Sequence, residues 1–224
     1  MSEVTKAAEV AKQPVAQVDL DEINRWTLRP LESEEVFTFR LCACDNLVDR
    51  DGERFSDAAL LRMSELYPGK PVLLDHSWSA KDQTARVYGA AVDMDPQREG
   101  RKRLVLRCFI PRIQNTRIAI ETIETGLKRE CSVGCAVKST VCSICGEDYY
   151  GNCVHVKGRE YGGQNCHVVL DGVEDVYEVS MVAVPAQKDA GVIKGAGQSP
   201  APWTKQARLE LDLENIRFGR VAAE

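Results

Sequence analysis

No apolar run in the chain exceeds a few residues, so nothing in it reads as a membrane span. The first residues, Met-Ser-Glu-Val-Thr-Lys, lack the basic stretch and apolar core of a secretory signal, so a reducing compartment is expected. A surplus of positive charge is missing too. The formal net charge is −5, which argues against sequence-independent binding to nucleic acid. One local basic cluster, Arg98 with Arg101, Lys102 and Arg103, surrounds Glu99-Gly100 and reads as a solvated hairpin tip. No internal repeat is visible. Histidine is scarce, three in 224 residues, so few candidates exist for a general base. What is present, 44% hydrophobic and 28% charged residues, is the balance of a globular chain of one substantial domain or two small ones.

Cysteine is the residue in surplus. There are nine, an odd count that argues against a purely disulfide framework. Four of them fall between Cys142 and Cys166, beside His155 and His167. Cys142-Ser-Ile-Cys145-Gly146 has the shape of a zinc knuckle, a tight turn that lets two thiolates face one ion while backbone N–H groups support the sulfurs. Cys153-Val-His155 follows. Cys142, Cys145, Cys153 and His155 thus supply the four soft or borderline ligands of a closed tetrahedral Zn²⁺ site, with Cys166 and His167 as reserve ligands. Four protein ligands leave no open position, so the metal is expected to be structural. The competing readings are a redox Cys-x-x-Cys pair or free buried thiols.

The chain divides into an arm, a body and a tail. Residues 1–34 show no sustained periodicity and read as a mobile arm with room for a short helix. The body, 35–195, opens with a strand from Val36 through Cys44. Ser56 is placed as the N-cap of a helix carrying Leu60, Leu61 and Met63 and stopped at Pro68-Gly69. Pro71-Val72-Leu73-Leu74 reads as a short buried strand that delivers Asp75-His76. Ala85–Met94 and Arg103–Ile110 form an antiparallel hairpin. A helix is expected over 115–125 with Gly126 as its cap, then a strand over 129–139. The metal-binding insert occupies 140–167. Two final strands, 168–170 and 176–184, close the body. Residues 196–224 read as a linker and tail in which Leu209-Glu-Leu-Asp-Leu-Glu214 fits either strand or helix. The implied fold is β-rich α+β, a closed or partly closed antiparallel β-barrel with a few flanking helices and a small zinc-binding insert.

Hydrolysis at neutral pH needs a nucleophile, a base and donors for an oxyanion. His155 and His167 lie inside the cysteine cluster, which leaves His76 as the free base. Ser132 lies in a strand among small or apolar neighbours, and Gly134 permits close backbone approach. Cys131 and Cys135 are alternative nucleophiles, with Cys131 on the opposite strand face. On residue types alone, a half-buried histidine and a structural serine remain the plainer readings.

The order of Gly69-Lys-Pro-Val-Leu-Leu-Asp-His76, then Cys131-Ser132-Val133-Gly134, then Tyr177-Glu178-Val179-Ser180-Met181-Val182 and Pro185-Ala186 resembles the tailed-phage prohead (capsid maturation) serine proteases, which share a fold with the herpesvirus assemblins. The resemblance spans about residues 35 to 195. It implies Ser132 as nucleophile and His76 as general base, and puts Glu178 where the assemblin-type site has its third member, a histidine. Asp75 and Asp171 are alternative carboxylates. Cys135 departs from the phenylalanine frequent in the family at that place, which bears on pocket shape. Some members have a similar cysteine-containing insert. The activity so implied is a serine endopeptidase acting in the host cytoplasm inside the prohead, with scaffold and major capsid proteins as substrates, no membrane partner, and self-association left open. The rival is a non-catalytic virion structural protein that keeps the protease fold and the zinc site.

Overall fold

The structure is a computed structural model, and it describes residues 14–193. The expected linker and the Leu209–Glu214 element lie outside them. The segment read as an arm is packed from its described start. Helix α1 (Gln17–Asn24) buries Leu20 and Ile23 in a small cluster with Leu31, Val36, Tyr88 and Phe109. Its Asp19 accepts from Arg107 at 2.8 Å.

Strand β1 (Val36–Asp45) is followed by the short β2 (Glu53–Phe55) and helix α2 (Asp57–Leu66). Ser56 caps α2 as expected, its hydroxyl accepting from Ala59 N–H at 2.9 Å. Apolar spacing turns Ala59, Leu60 and Met63 onto the sheet, where α2 packs against β9, β4 and β5. Next come β3 (Pro71–Leu74), β4 (Ala85–Met94), β5 (Lys102–Pro111) and α3 (Arg117–Glu124), which adds Ile120 and Ile123 to the core. Gly126 follows α3 at φ 77°, the left-handed conformation of a helix stop. Strand β6 (Cys131–Cys142) leads into the cysteine-rich insert, with its two-residue strands β7 (Glu160–Tyr161) and β8 (Gln164–Asn165). The 14-residue β9 (Val168–Met181) is continuous where two separate strands were expected, and β10 (Gly191–Val192) ends the path.

The barrel expectation is corrected. Eight of the described strands form one mixed sheet in the order β10-β1-β5-β4-β3-β9-β2, with β6 on the other edge of β9; β7 and β8 pair only with each other, and no sheet closes into a barrel. β2 and β3 both run parallel to β9, against its start (Glu53↔Val168) and its end (Val72↔Val179). The cause is length: β9 outlasts either short partner, so two strands share one edge, and α2 carries the chain between them as a crossover. The residues just before β6 meet β10 through the isolated bridge Glu130↔Gly191 and the bond from Val192 N–H to Arg129 O, with no ladder between the two strands.

The β4–β5 hairpin is present, but its basic tip is not uniformly solvated. Arg101 is buried and ion-paired with Asp45 (2.6 Å) and Asp95 (2.7 Å). A buried guanidinium needs such partners, and these fasten the hairpin to β1.

Candidate functional site

Two groups of chemistry-bearing residues sit at opposite ends of the β6–β9 pair. At the far end of β9, Glu178 is buried at 2% exposure and its Oε1 lies 2.8 Å from His76 Nδ1. An ionised carboxylate only accepts, so opposite one Nδ1 is the donor, and in a neutral imidazole Nε2 then keeps its lone pair. Three further bonds fix the arrangement. Ser180 Oγ donates to Glu178 Oε2 at 2.5 Å and accepts from His76 N–H at 3.0 Å, while Tyr67 OH donates to the Glu178 carbonyl at 3.1 Å. The turn presenting the imidazole is unusual: Asp75 and His76 have φ of 49° and 55°. Two successive left-handed residues are costly, and they persist where surrounding bonds over-determine them. Here Asp75 N–H donates to Met181 O and Ser77 N–H to Leu74 O.

Ser132 enters from β6. The ladder pairs Ser132 with Ser180 and Gly134 with Glu178, so these four share one sheet face. Gly134 leaves room for the Glu178 carboxylate there. A Cβ at that position would lie 2.3 Å from Glu178 Oε1. Ser132 is half-buried and His76 is 43% exposed, so both face accessible space. Among the described residues no hydrogen bond joins Ser132 to His76. Catalytic pairs often rest in such a looser state before substrate binds.

The alternatives separate on geometry. Cys131 is fully buried on the core face, donates toward Cys42 O, and has its thiol pushed far up by burial. Burial, then the nearby Glu178, pushes the Cys135 thiol to about 11. Neither is a ready thiolate. Asp171 accepts from Ser56 Oγ at 2.7 Å, near the start of β9 rather than beside His76. Of the three carboxylates weighed, Glu178 is the one hydrogen-bonded to His76. Ser180 stands in the sequence motif without an expected role. Its signal is the strand spacing Glu178-x-Ser180, which puts both on one face.

At the other end, the ligand atoms of Cys142, Cys145, Cys153 and His155 all lie within 4.8 Å of one another, so the group can hold a metal ion. Cys145 Sγ is 3.6 Å from Cys153 Sγ, which is 3.6 Å from His155 Nδ1. A tetrahedron of bonds near 2.3 Å has edges of about 3.8 Å, so these separations fit one central ion. Burial favours the neutral Cys142 thiol, but the N–H groups of Cys145 and Ile144 and the neighbouring thiols outweigh it and bring its pKa down to about 6. Cys153 is raised to about 11, chiefly by burial. Of the reserve ligands, Cys166 is buried with its sulfur 3.8 Å from that of Cys142, but it is not among the four whose ligand atoms all lie within 4.8 Å of one another. His167 turns away, its Nδ1 3.3 Å from Asn165 O. Tyr150 and Lys157 reach Glu53 at 2.9 and 2.7 Å, which docks the insert on β2.

Compared with known proteins, the chain is matched by no family model, no curated protein and no solved structure.

Proposed function

We propose that the chain is a serine endopeptidase of phage head assembly, acting in the host cytoplasm within the prohead on scaffold and capsid-protein segments. One observation supports the reading above the others: the buried Glu178 carboxylate hydrogen-bonded at 2.8 Å to His76 Nδ1, with Ser132 on the same sheet face. The motif order that resembles prohead proteases supplies the biological setting.

Ser132 Oγ attacks the peptide carbonyl while His76 Nε2 takes its proton. The imidazolium so formed is stabilised by Glu178, whose second oxygen is already satisfied by Ser180. His76 then gives the proton to the leaving amine, and water hydrolyses the acyl-enzyme by the reverse relay. The outer edge of β6 over residues 132–139 has no backbone partner among the described residues. An extended peptide adding there as a strand passes directly beside Ser132.

The metal of the insert is assigned as structural Zn²⁺ held by Cys142, Cys145, Cys153 and His155. Its Lewis acidity serves no step, because four protein ligands leave no position for water.

A fluorophosphonate probe tests the site. The expected result is a covalent adduct on Ser132, located by peptide mass spectrometry. No adduct, or one on another residue, overturns the assignment and favours the non-catalytic virion protein.

A further inference from the structure

Beside His76 lies an aromatic pair that the relay does not use. Trp78, two residues past His76, is 75% exposed, and Tyr177, adjacent to Glu178, is 41% exposed. Their ring centroids are 5.5 Å apart with planes tilted by 56°. The contact holds the rings against each other but covers little of either. A tryptophan left that open gives up most of the stabilisation its burial would supply. The rings are positioned by the same elements as the relay: Trp78 by the turn after β3, Tyr177 by the irregular step in β9 between Val176 and Glu178.

On which half of a substrate do they bear? Ser132 bonds to the acyl half. His76 must reach the leaving nitrogen to protonate it, so it faces the other half. Trp78 follows His76 on the β3 side and Tyr177 precedes Glu178 on β9, whereas Ser132 stands on β6, across β9 from β3. Given the endopeptidase reading above, we infer that Trp78 and Tyr177 form a platform for an apolar side chain on the leaving-group side of the scissile bond. The ligand class is a peptide segment with a Leu, Met or aromatic residue shortly after the cleaved bond. An acidic residue there gains nothing from an apolar ring face, and among the described residues no cation stacks on either ring.

Acylation and deacylation separate the claim from a general structural role, because the leaving half has departed before the acyl-enzyme is hydrolysed. The experiment compares parent, Trp78→Ala and Trp78→Phe on three substrates: a fluorophosphonate, a small activated ester, and paired peptides with Leu or Asp after the cleaved bond, chosen from mapped cleavages of the co-expressed scaffold. Trp78→Ala should lose about tenfold or more in kcat/KM on the Leu peptide, with little change on the Asp peptide, and Trp78→Phe should recover part of the loss. Probe labelling and the deacylation rate of the ester should stay at parental values. If the parent takes the probe while Trp78→Ala keeps the parental Leu-over-Asp preference, the platform is wrong and the endopeptidase reading stands. Equal losses on ester, probe and both peptides likewise overturn it, since they mark damage to the relay. A parent that neither takes the probe nor cleaves peptide overturns both.

Discussion

Gly134→Ala offers the sharpest test of the relay, because it adds one methyl at a point where stability and activity should part. The added Cβ would stand 2.3 Å from Glu178 Oε1. Restoring an ordinary contact of about 3.4 Å moves that oxygen by roughly 1 Å. The oxygen displaced is the one bonded to His76 at 2.8 Å, and a shift of that size takes the bond out of range. The strand backbone has nothing against alanine: Gly134 is not among the positive-φ residues, and replacing glycine in a strand gains about 0.5–1 kcal/mol of backbone entropy. That gain offsets much of the cost of moving a side chain whose other oxygen stays bonded to Ser180. The folded state should therefore persist with Tm within a few degrees of the parent. Activity should fall by roughly 10²–10⁴ in kcat, the range for loss of a triad acid. The assay is the second-order rate of fluorophosphonate labelling, run beside thermal unfolding. Parental labelling in a folded Gly134→Ala protein would mean that the Glu178–His76 bond has no part in the chemistry.

Ser132→Ala should abolish labelling and proteolysis while leaving Tm near the parent, since it removes one half-buried hydroxyl; residual activity that disappears only in Cys131→Ala would move the nucleophile. Glu178→Gln should lose roughly 10²–10⁴ in kcat, whereas Asp171→Asn, which alters the Ser56 contact at the other end of β9, should stay within a fewfold of the parent; the reverse order in steady-state rates refutes the third member. Elemental analysis of protein purified without chelator should find about one zinc per chain, and Cys145→Ser should lose it and expose the insert to limited proteolysis while the β4–β5 hairpin stays protected. Metal affinity should fall as pH drops: Cys142, held down at about 6, is a thiolate at neutral pH and is protonated below that value, so protons then compete with the ion. Cys153, at about 11, should release a proton on binding near neutral pH, which calorimetry in buffers of differing ionisation heat can count.

Much of the local structure was legible in the sequence because its signals are local. Ser56 before an apolar helical spacing gives the cap and α2. Gly126 gives the stop of α3. Alternation across a basic turn gives the β4–β5 hairpin, and Cys142-x-x-Cys145 with Cys153-x-His155 gives the ligand cluster. What was not legible lies in pairings between distant segments. No spacing rule announces that Val72 aligns with Val179 in parallel, so an antiparallel barrel was inferred where a mixed sheet forms. The inward turn of Arg101 was hidden for the same reason, since one of its partners, Asp45, is on another strand. Which of Glu178, Asp75 and Asp171 is hydrogen-bonded to His76 likewise shows only in three-dimensional placement, although the resemblance already pointed to Glu178. Composition could not distinguish a carboxylate buried under an imidazole from one making contacts near a helix start.

The placement of β9 has a consequence for the order of events during synthesis. Its partners β2, β3 and β6 all precede it in the chain, and without it β3 has only two paired residues against β4 and β6 has no ladder at all. Contacts between segments so far apart in sequence form late. A ribosome-bound chain truncated anywhere before residue 178 therefore lacks the group that orients His76 and the strand that aligns Ser132. Nascent fragments should be inert toward the probe however much of the β4–β5 hairpin has folded, and reactivity should appear in one step once β9 has emerged and docked.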